Sequence, residues 1–294
     1  MKQKNVIIYT AESAIPGVLN LPEAGGPAPA VVFTNGYTAY HEMYDSMARA
    51  FCEAGDVTLQ YDQRGTAGAR HGYQLCGTEW KDDINAAVSY IYGCPETDRA
   101  RIGLAGVSMG GAMTLIQGAV DPRIKALYAM APYVNGEISI HRRFLSRTGE
   151  TQFQEFLENC FEDAARIAHG FEGTHVPAGY SVFTGETGCI PDEAEMEARR
   201  LHPLKITSLP WASIWNTYLY VDTLAAVRQI RIPTLITHGT ADQTLAFENS
   251  QLLFEELSCE HKRFISIPDA GHVLPEVAEE ESIRYGLEWF GQYL

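Results

Sequence analysis

Apolar residues along the chain gather in short runs, separated by longer stretches in which they recur every three to four residues. The runs are Ala30–Thr34, Val57–Tyr61, Arg101–Ala105, Ile124–Met130, Pro233–Thr237 and Arg263–Ile267. Such runs predict strands, and Ala30–Thr34, continuously apolar and β-branched, predicts one covered on both faces. Between and after them, Tyr44–Glu53, Lys81–Tyr92, the stretch opening near Met109, and Glu276–Tyr293 predict helices. Strands and helices alternate in this way when βαβ units wind around a parallel sheet. At the amino end, two β-like segments within Val6–Leu21 flank Ala11-Glu12-Ser13 and predict a hairpin. The expected fold is α/β: a doubly wound, mostly parallel sheet with an antiparallel start.

The rhythm breaks after Pro132 and returns only at Pro233. The intervening stretch is not a linker. Phe153, Phe156, Leu157, Cys160, Phe161, Ala164 and Ile167 repeat with helical spacing and acidic residues between them, the pattern of an amphipathic helix. Asp192–Leu201 reads as a second helix, followed by the aromatic group Trp211, Trp215, Tyr218 and Tyr220. The sequence therefore assigns 1–134 and 221–294 to an α/β core and 135–220 to a helical insertion.

At 294 residues, 46% of them hydrophobic, the chain has material for one large core with an insertion. Its 22 basic and 37 acidic side chains leave a net charge of −15. Nucleic acid, which needs a concentrated basic surface, is not an expected partner. A small-molecule substrate, even an anionic one, stays compatible, because net charge does not describe a pocket. No apolar stretch approaches the ~20 residues of a membrane span, and Val6-Ile7-Ile8-Tyr9 is too short for a signal-peptide core. No membrane partner is expected. The 6 cysteines are scattered without a C-x-x-C pair, which predicts neither metal nor redox dithiol and suits a reducing, cytoplasmic location. A homo-oligomer is left open.

Candidate chemistry begins at Gly106-Val107-Ser108-Met109-Gly110, directly after one predicted strand and directly before a predicted helix. A sharp strand-to-helix reversal puts the serine in strained backbone geometry and needs glycine two residues to either side. Ser108 is the candidate nucleophile. It requires a base, and the base an orienting acid. In a nucleophile-elbow architecture these follow as acid, then histidine, each beyond the end of a later strand. Asp242, after Pro233–Thr237, and His272, after Arg263–Ile267, meet both conditions. Glu137 is a weaker rival for the acid. Asp269 lies too close to His272 in a tight turn, and His238 reads as a structural histidine. The oxyanion would take the Met109 amide and the Tyr37 amide of Asn35-Gly36-Tyr37. Trp211, Trp215 and Tyr218 are candidates for the substrate pocket, with packing an equal explanation. His141-Arg142-Arg143 with Arg147 reads as a basic cluster that pairs with the acidic helix or holds an anion.

On Asn35-Gly36-Tyr37, Asp62-Gln63-Arg64-Gly65, Gly106–Gly110, Asp242 and His272, the chain resembles a serine hydrolase of the α/β-hydrolase superfamily. It resembles the branch whose helical cap lies between the sixth and seventh strands. The resemblance covers about 1–134 and 221–294. It implies hydrolysis of a carboxylic ester or lactone through an acyl-enzyme, without cofactor or metal. It also implies that Asp62 and Arg64 brace the active-site loops. The same triad serves thioesters, amides and carbon–carbon bonds, and the fold also serves as a binding-only module. Dienelactone hydrolases, a nearby group, carry cysteine where this chain has Ser108, which argues against that activity in its strict form.

Overall fold

One sheet of eight strands organises the computed structural model, which describes residues 1–11, 13–65, 77–177, 180–181, 186–187 and 208–294. The strands are β1 (Lys2–Tyr9), β2 (Ala14–Leu21), β3 (Ala28–Thr34), β4 (Val57–Tyr61), β5 (Thr97–Val107), β6 (Ile124–Met130), β7 (Thr234–Gly239) and β8 (Lys262–Ile267). Their spatial order is β1-β2-β4-β3-β5-β6-β7-β8. β1 and β2 form the expected antiparallel hairpin, closed by Thr10 N–H on Ser13 O at 2.8 Å. β2 is antiparallel to β4, and every later pairing is parallel.

The α-helices among the described residues are α1 (Asp45–Ala54), α2 (Gly77–Gly93), α3 (Met109–Gly118), α4 (Arg142–Arg147), α5 (Glu150–Ala168), α6 (Trp211–Tyr220), α7 (Thr223–Val227), α8 (Phe247–Glu256), α9 (Leu274–Val277) and α10 (Glu279–Tyr293). β3 shows why the central strands read as unbroken apolar runs. Its side chains alternate between faces, and both faces are covered. Ala30 and Val32 join one core with Trp80 and Ile84 of α2 and Leu115 of α3. Val31 and Phe33 join a second core with Phe51 of α1 and Phe290 of α10. On the second side, burying Phe33, Phe51 and Phe290 is worth about 2 kcal/mol or more per ring before entropy is charged against it.

Helix positions depart from the sequence reading at two ends. The amino-terminal helix starts at Asp45, preceded by a 3-10 turn, His41–Tyr44. The carboxy-terminal helix is broken at Ala278, whose φ of −143° and ψ of 52° separate α9 from α10. No Gly or Pro marks that break, so periodicity alone did not disclose it.

Helices α4, α5 and α6 lie in the stretch 135–220. Phe144, Phe153 and Phe156 stack among themselves, and Phe156 meets Trp211 at 5.9 Å between centroids. The buried Asp163 carboxylate of α5 accepts Ala212 N–H at 2.9 Å and Thr174 N–H, pinning the first turn of α6. The helix expected at Asp192–Leu201 lies outside the described residues. Cys52, Cys94, Cys160 and Cys259 are free thiols. No helix among the described residues is long and apolar enough to cross a membrane.

Candidate active site

Candidate side chains sit in loops leaving the carboxyl ends of β3, β4, β5, β7 and β8, the edge where helix amino termini also gather. Ser108 joins β5 to α3 with φ 58° and ψ −120°. A non-glycine residue there stores backbone strain of order 1–3 kcal/mol, held only by surrounding structure. The bonds that hold it are explicit. Ser108 N–H donates to Met130 O at 2.8 Å, and Ser108 O accepts from Ala112 at 3.0 Å and Tyr133 at 3.1 Å. A Cβ on Gly110 would collide with the Thr34 and Asn35 carbonyl oxygens, and one on Gly106 with the Gly110 backbone. The two glycines are thus required by close approach. Met109 opens α3, so its N–H has no intrahelical acceptor.

The loop after β3 lies against this elbow: a Cβ on Gly36 would stand 3.4 Å from Ser108 Cβ. Tyr44 ties the same two strand ends, its hydroxyl donating to Thr34 O at 2.9 Å and accepting Val107 N–H at 2.9 Å. Sequence reasoning passed over Tyr44, since nothing but its place in an apolar face marks it.

Loops after β7 and β8 are zipped together. Thr240 N–H donates to Ile267 O and Ala241 N–H to Ala270 O, both at 3.0 Å, and Gly239 leaves room for the Ala270 and Gly271 backbone. That contact delivers His272 Nδ1 to Asp242 Oδ2 at 2.6 Å. Asp242 Oδ1 accepts Thr244 N–H at 2.7 Å and Leu245 N–H at 2.9 Å. His238 Nε2 lies 3.0 Å from Oδ2. Burial opposes the charge on Asp242, yet His272 and His238 hold its carboxyl well below the usual carboxylate range. Of the three carboxylates weighed from sequence, Asp242 is the one bonded to His272. Glu137 pairs with His141 at 2.9 Å, and Asp269 is exposed with its backbone on Thr240 Oγ1.

Asp62 and Arg64 make bracing contacts. Asp62 Oδ1 accepts His41 N–H at 2.8 Å and Asn35 Nδ2–H at 3.3 Å, while Asn35 also donates to Tyr61 O at 2.8 Å. Arg64 Nε donates to Asp83 at 2.6 Å, with a further bond to Asp82. His41, Glu42 and Asp62 have ligand atoms within 4.8 Å of one another. Asp62 Oδ1 is already taken by two N–H donors there, so hydrogen bonding accounts for the group.

In the basic cluster, His141 bonds Glu137 and Glu150, whereas Arg143 and Arg147 reach Gln243, the neighbour of Asp242. Trp211, Trp215 and Tyr218 lie on α6 and are partly buried against the core. Trp215 meets Phe161 at 4.8 Å and Tyr218 at 5.3 Å, and Tyr218 covers Gly136. The phenol of Tyr37 is buried beside Thr217 of the same helix, and burial raises its pKa.

Known proteins place this arrangement in a family. The polyketide transferase GrgF of Penicillium sp is 24% identical over 87% of this chain and 84% of its own. Its crystal structure, described as an alpha/beta hydrolase, superposes with a TM-score of 0.82 at 21% identity over 100% of this chain and 99% of that one. A putative monoglyceride lipase of Schizosaccharomyces pombe is 25% identical over 86% of this chain and 65% of its own. Est1E of Butyrivibrio proteoclasticus with bound ferulic acid aligns with a TM-score of 0.67 at 18% identity, over 97% and 99% of the two chains. The model of the serine aminopeptidase S33 family matches residues 25–278. The chain belongs to that family of hydrolases, and with it to the α/β-hydrolase superfamily of serine hydrolases.

Proposed function

We propose that the protein hydrolyses a carboxylic ester or lactone of a small organic substrate through an acyl-enzyme on Ser108. The observation that carries this reading is the His272–Asp242 bond of 2.6 Å, made by loops beside an elbow with a strained serine. With Nδ1–H given to Asp242, His272 keeps Nε2 free to accept the Ser108 proton as Oγ attacks the carbonyl carbon. The Met109 and Tyr37 amides receive the oxyanion. His272 then protonates the departing alcohol and activates the water that releases the acid. Each of these groups is supplied by the chain, so the reading calls for no cofactor.

Residues 135–220 act in this reading as a cap, with Trp211, Trp215 and Tyr218 as candidates to bound the pocket. Arg143 and Arg147 on Gln243 fasten α4 beside the acid loop. A second reading, acyl transfer from a thioester, is favoured by the likeness to the polyketide transferase along almost the whole chain. It uses the same serine and a different acceptor.

A fluorophosphonate probe tests the nucleophile. Wild type is expected to label, and Ser108→Ala to lose labelling and about 10³-fold or more of its turnover while keeping its fold. Turnover within about tenfold of wild type in Ser108→Ala would assign the chemistry elsewhere. p-Nitrophenyl esters, acyl thioesters and aminoacyl anilides, each offered with water or an alcohol acceptor, separate ester hydrolysis from its rivals.

A further inference from the structure

His238 enters neither the proton transfer nor the oxyanion contacts, yet it is wholly buried and shares one carboxylate oxygen with His272. It sits near the end of β7, four residues before Asp242. Its Nε2 faces two acceptors, Asp242 Oδ2 at 3.0 Å and Leu245 O at 3.3 Å, so Nε2 carries hydrogen. Its Nδ1 lies 2.6 Å from the hydroxyl of Ser250, a fully buried residue of α8. In the neutral imidazole a proton on Nε2 leaves Nδ1 to accept from Ser250 O–H, a bond that favours this tautomer. The Phe247 ring, 5.6 Å away between centroids, closes the remaining side. Titratable groups facing the imidazole are Asp242 from the loop after β7 and, across that carboxylate, His272 from the loop after β8.

We propose that His238, oriented by Ser250, is a positioning residue: its Nε2–H holds Asp242 Oδ2 in line with His272 and limits how strongly that oxygen binds the imidazolium. This rests on the function proposed above. The physical argument is a division of one acceptor between two donors. Oδ1 is saturated by the Thr244 and Leu245 amides, so Oδ2 alone faces both imidazoles. A carboxylate oxygen that loses one donor becomes a stronger acceptor for the other. Without His238, His272 would hold its proton more tightly and would be presented by a less fixed partner.

The test is a set of variants of the full chain assayed for kcat, KM and pH dependence on one p-nitrophenyl ester. His238→Ala is expected to lower kcat about tenfold to a hundredfold with KM within about twofold. The acid limb of its kcat/KM profile should move up by about half a pH unit or more. His238→Gln, whose amide can donate to the same oxygen, should recover most of kcat and return the acid limb to its wild-type place. Ser250→Ala, which frees the ring without removing it, should shift the limb in the same direction by less. A folded His238→Ala with an unmoved acid limb overturns the proposal, as does a Gln variant no better than Ala. Should His238→Ala fail to fold, a Ser250→Ala profile coincident with wild type overturns it instead. Full activity in Ser108→Ala would sink the functional reading itself, a result separate from any of these.

Discussion

Asp242 gathers donors from three directions: the Thr244 and Leu245 amides on Oδ1, and both imidazoles on Oδ2. Asp242→Asn replaces an acceptor oxygen with a donor, which favours the wrong His272 tautomer, and kcat is expected to fall on the order of 10⁴-fold. Glu137, exposed and paired with His141, supplies the control: Glu137→Gln should stay within about twofold of wild type. A larger loss in Glu137→Gln than in Asp242→Asn would move the acid to the loop after β6. His41 makes a different prediction. Burial opposes its charge, but Asp62, then Glu42 and Asp45, outweigh burial and raise its pKa. A histidine raised in the folded state adds stability that is full below its unfolded value, about 6.5, and is lost as pH rises through the folded value. The Tm advantage of wild type over His41→Gln should therefore be greatest below about pH 6.5 and shrink as pH rises from there. An advantage that grows with pH would refute the ionic account.

At the level of elements, α6 joins two explanations for its aromatic side chains. Trp211 and Trp215 are engaged by Phe156 and Phe161 of α5, so their loss should remove packing. Tyr218 also meets Phe153, but it covers Gly136 just past β6, near the buried Tyr133 whose amide binds Ser108 O. Trp211→Ala and Trp215→Ala are expected to lower Tm and depress all esters alike. Tyr218→Ala should instead reorder ester chain-length preference more than it slows a small probe. Chain-length series and melting curves on the three variants decide it, and a uniform loss with Tyr218→Ala would leave the pocket without its aromatic wall. The elements themselves were legible to different depths. Central strands and the elbow follow from composition and glycine placement, because burial on both faces and close approach leave few alternatives. The break at Ala278 did not, since no Gly or Pro marks it, and neither did the Asp163 anchor of α6, whose partner Ala212 is distant in sequence. His238 was visible as a strand-end histidine, yet its sharing of Asp242 with His272 needed the zipped loops to be seen.

For the whole molecule, the net charge of −15 sets a field that competes with the local one at the site. The α4 cluster brings positive charge to the acid loop, with Arg143 and Arg147 on Gln243. Its other members are spoken for: His141 lies between Glu137 and Glu150, and Arg142 is 3.9 Å from Glu137. Local attraction is therefore weak against a surplus of carboxylates over the whole surface. The two cases differ in sign when salt is varied, since screening shortens from about 30 Å at 0.01 M to about 10 Å at 0.1 M ionic strength. If the global field governs approach, kcat/KM for an anionic ester such as p-nitrophenyl hydrogen succinate should rise about threefold across that range. The similar-sized neutral p-nitrophenyl butyrate should stay flat. A fall for the anionic ester would mean that the α4 arginines dominate and that the site selects an acidic acyl group. Arg147→Gln distinguishes the two once more: it should leave the rising salt dependence in place, and it would abolish a falling one.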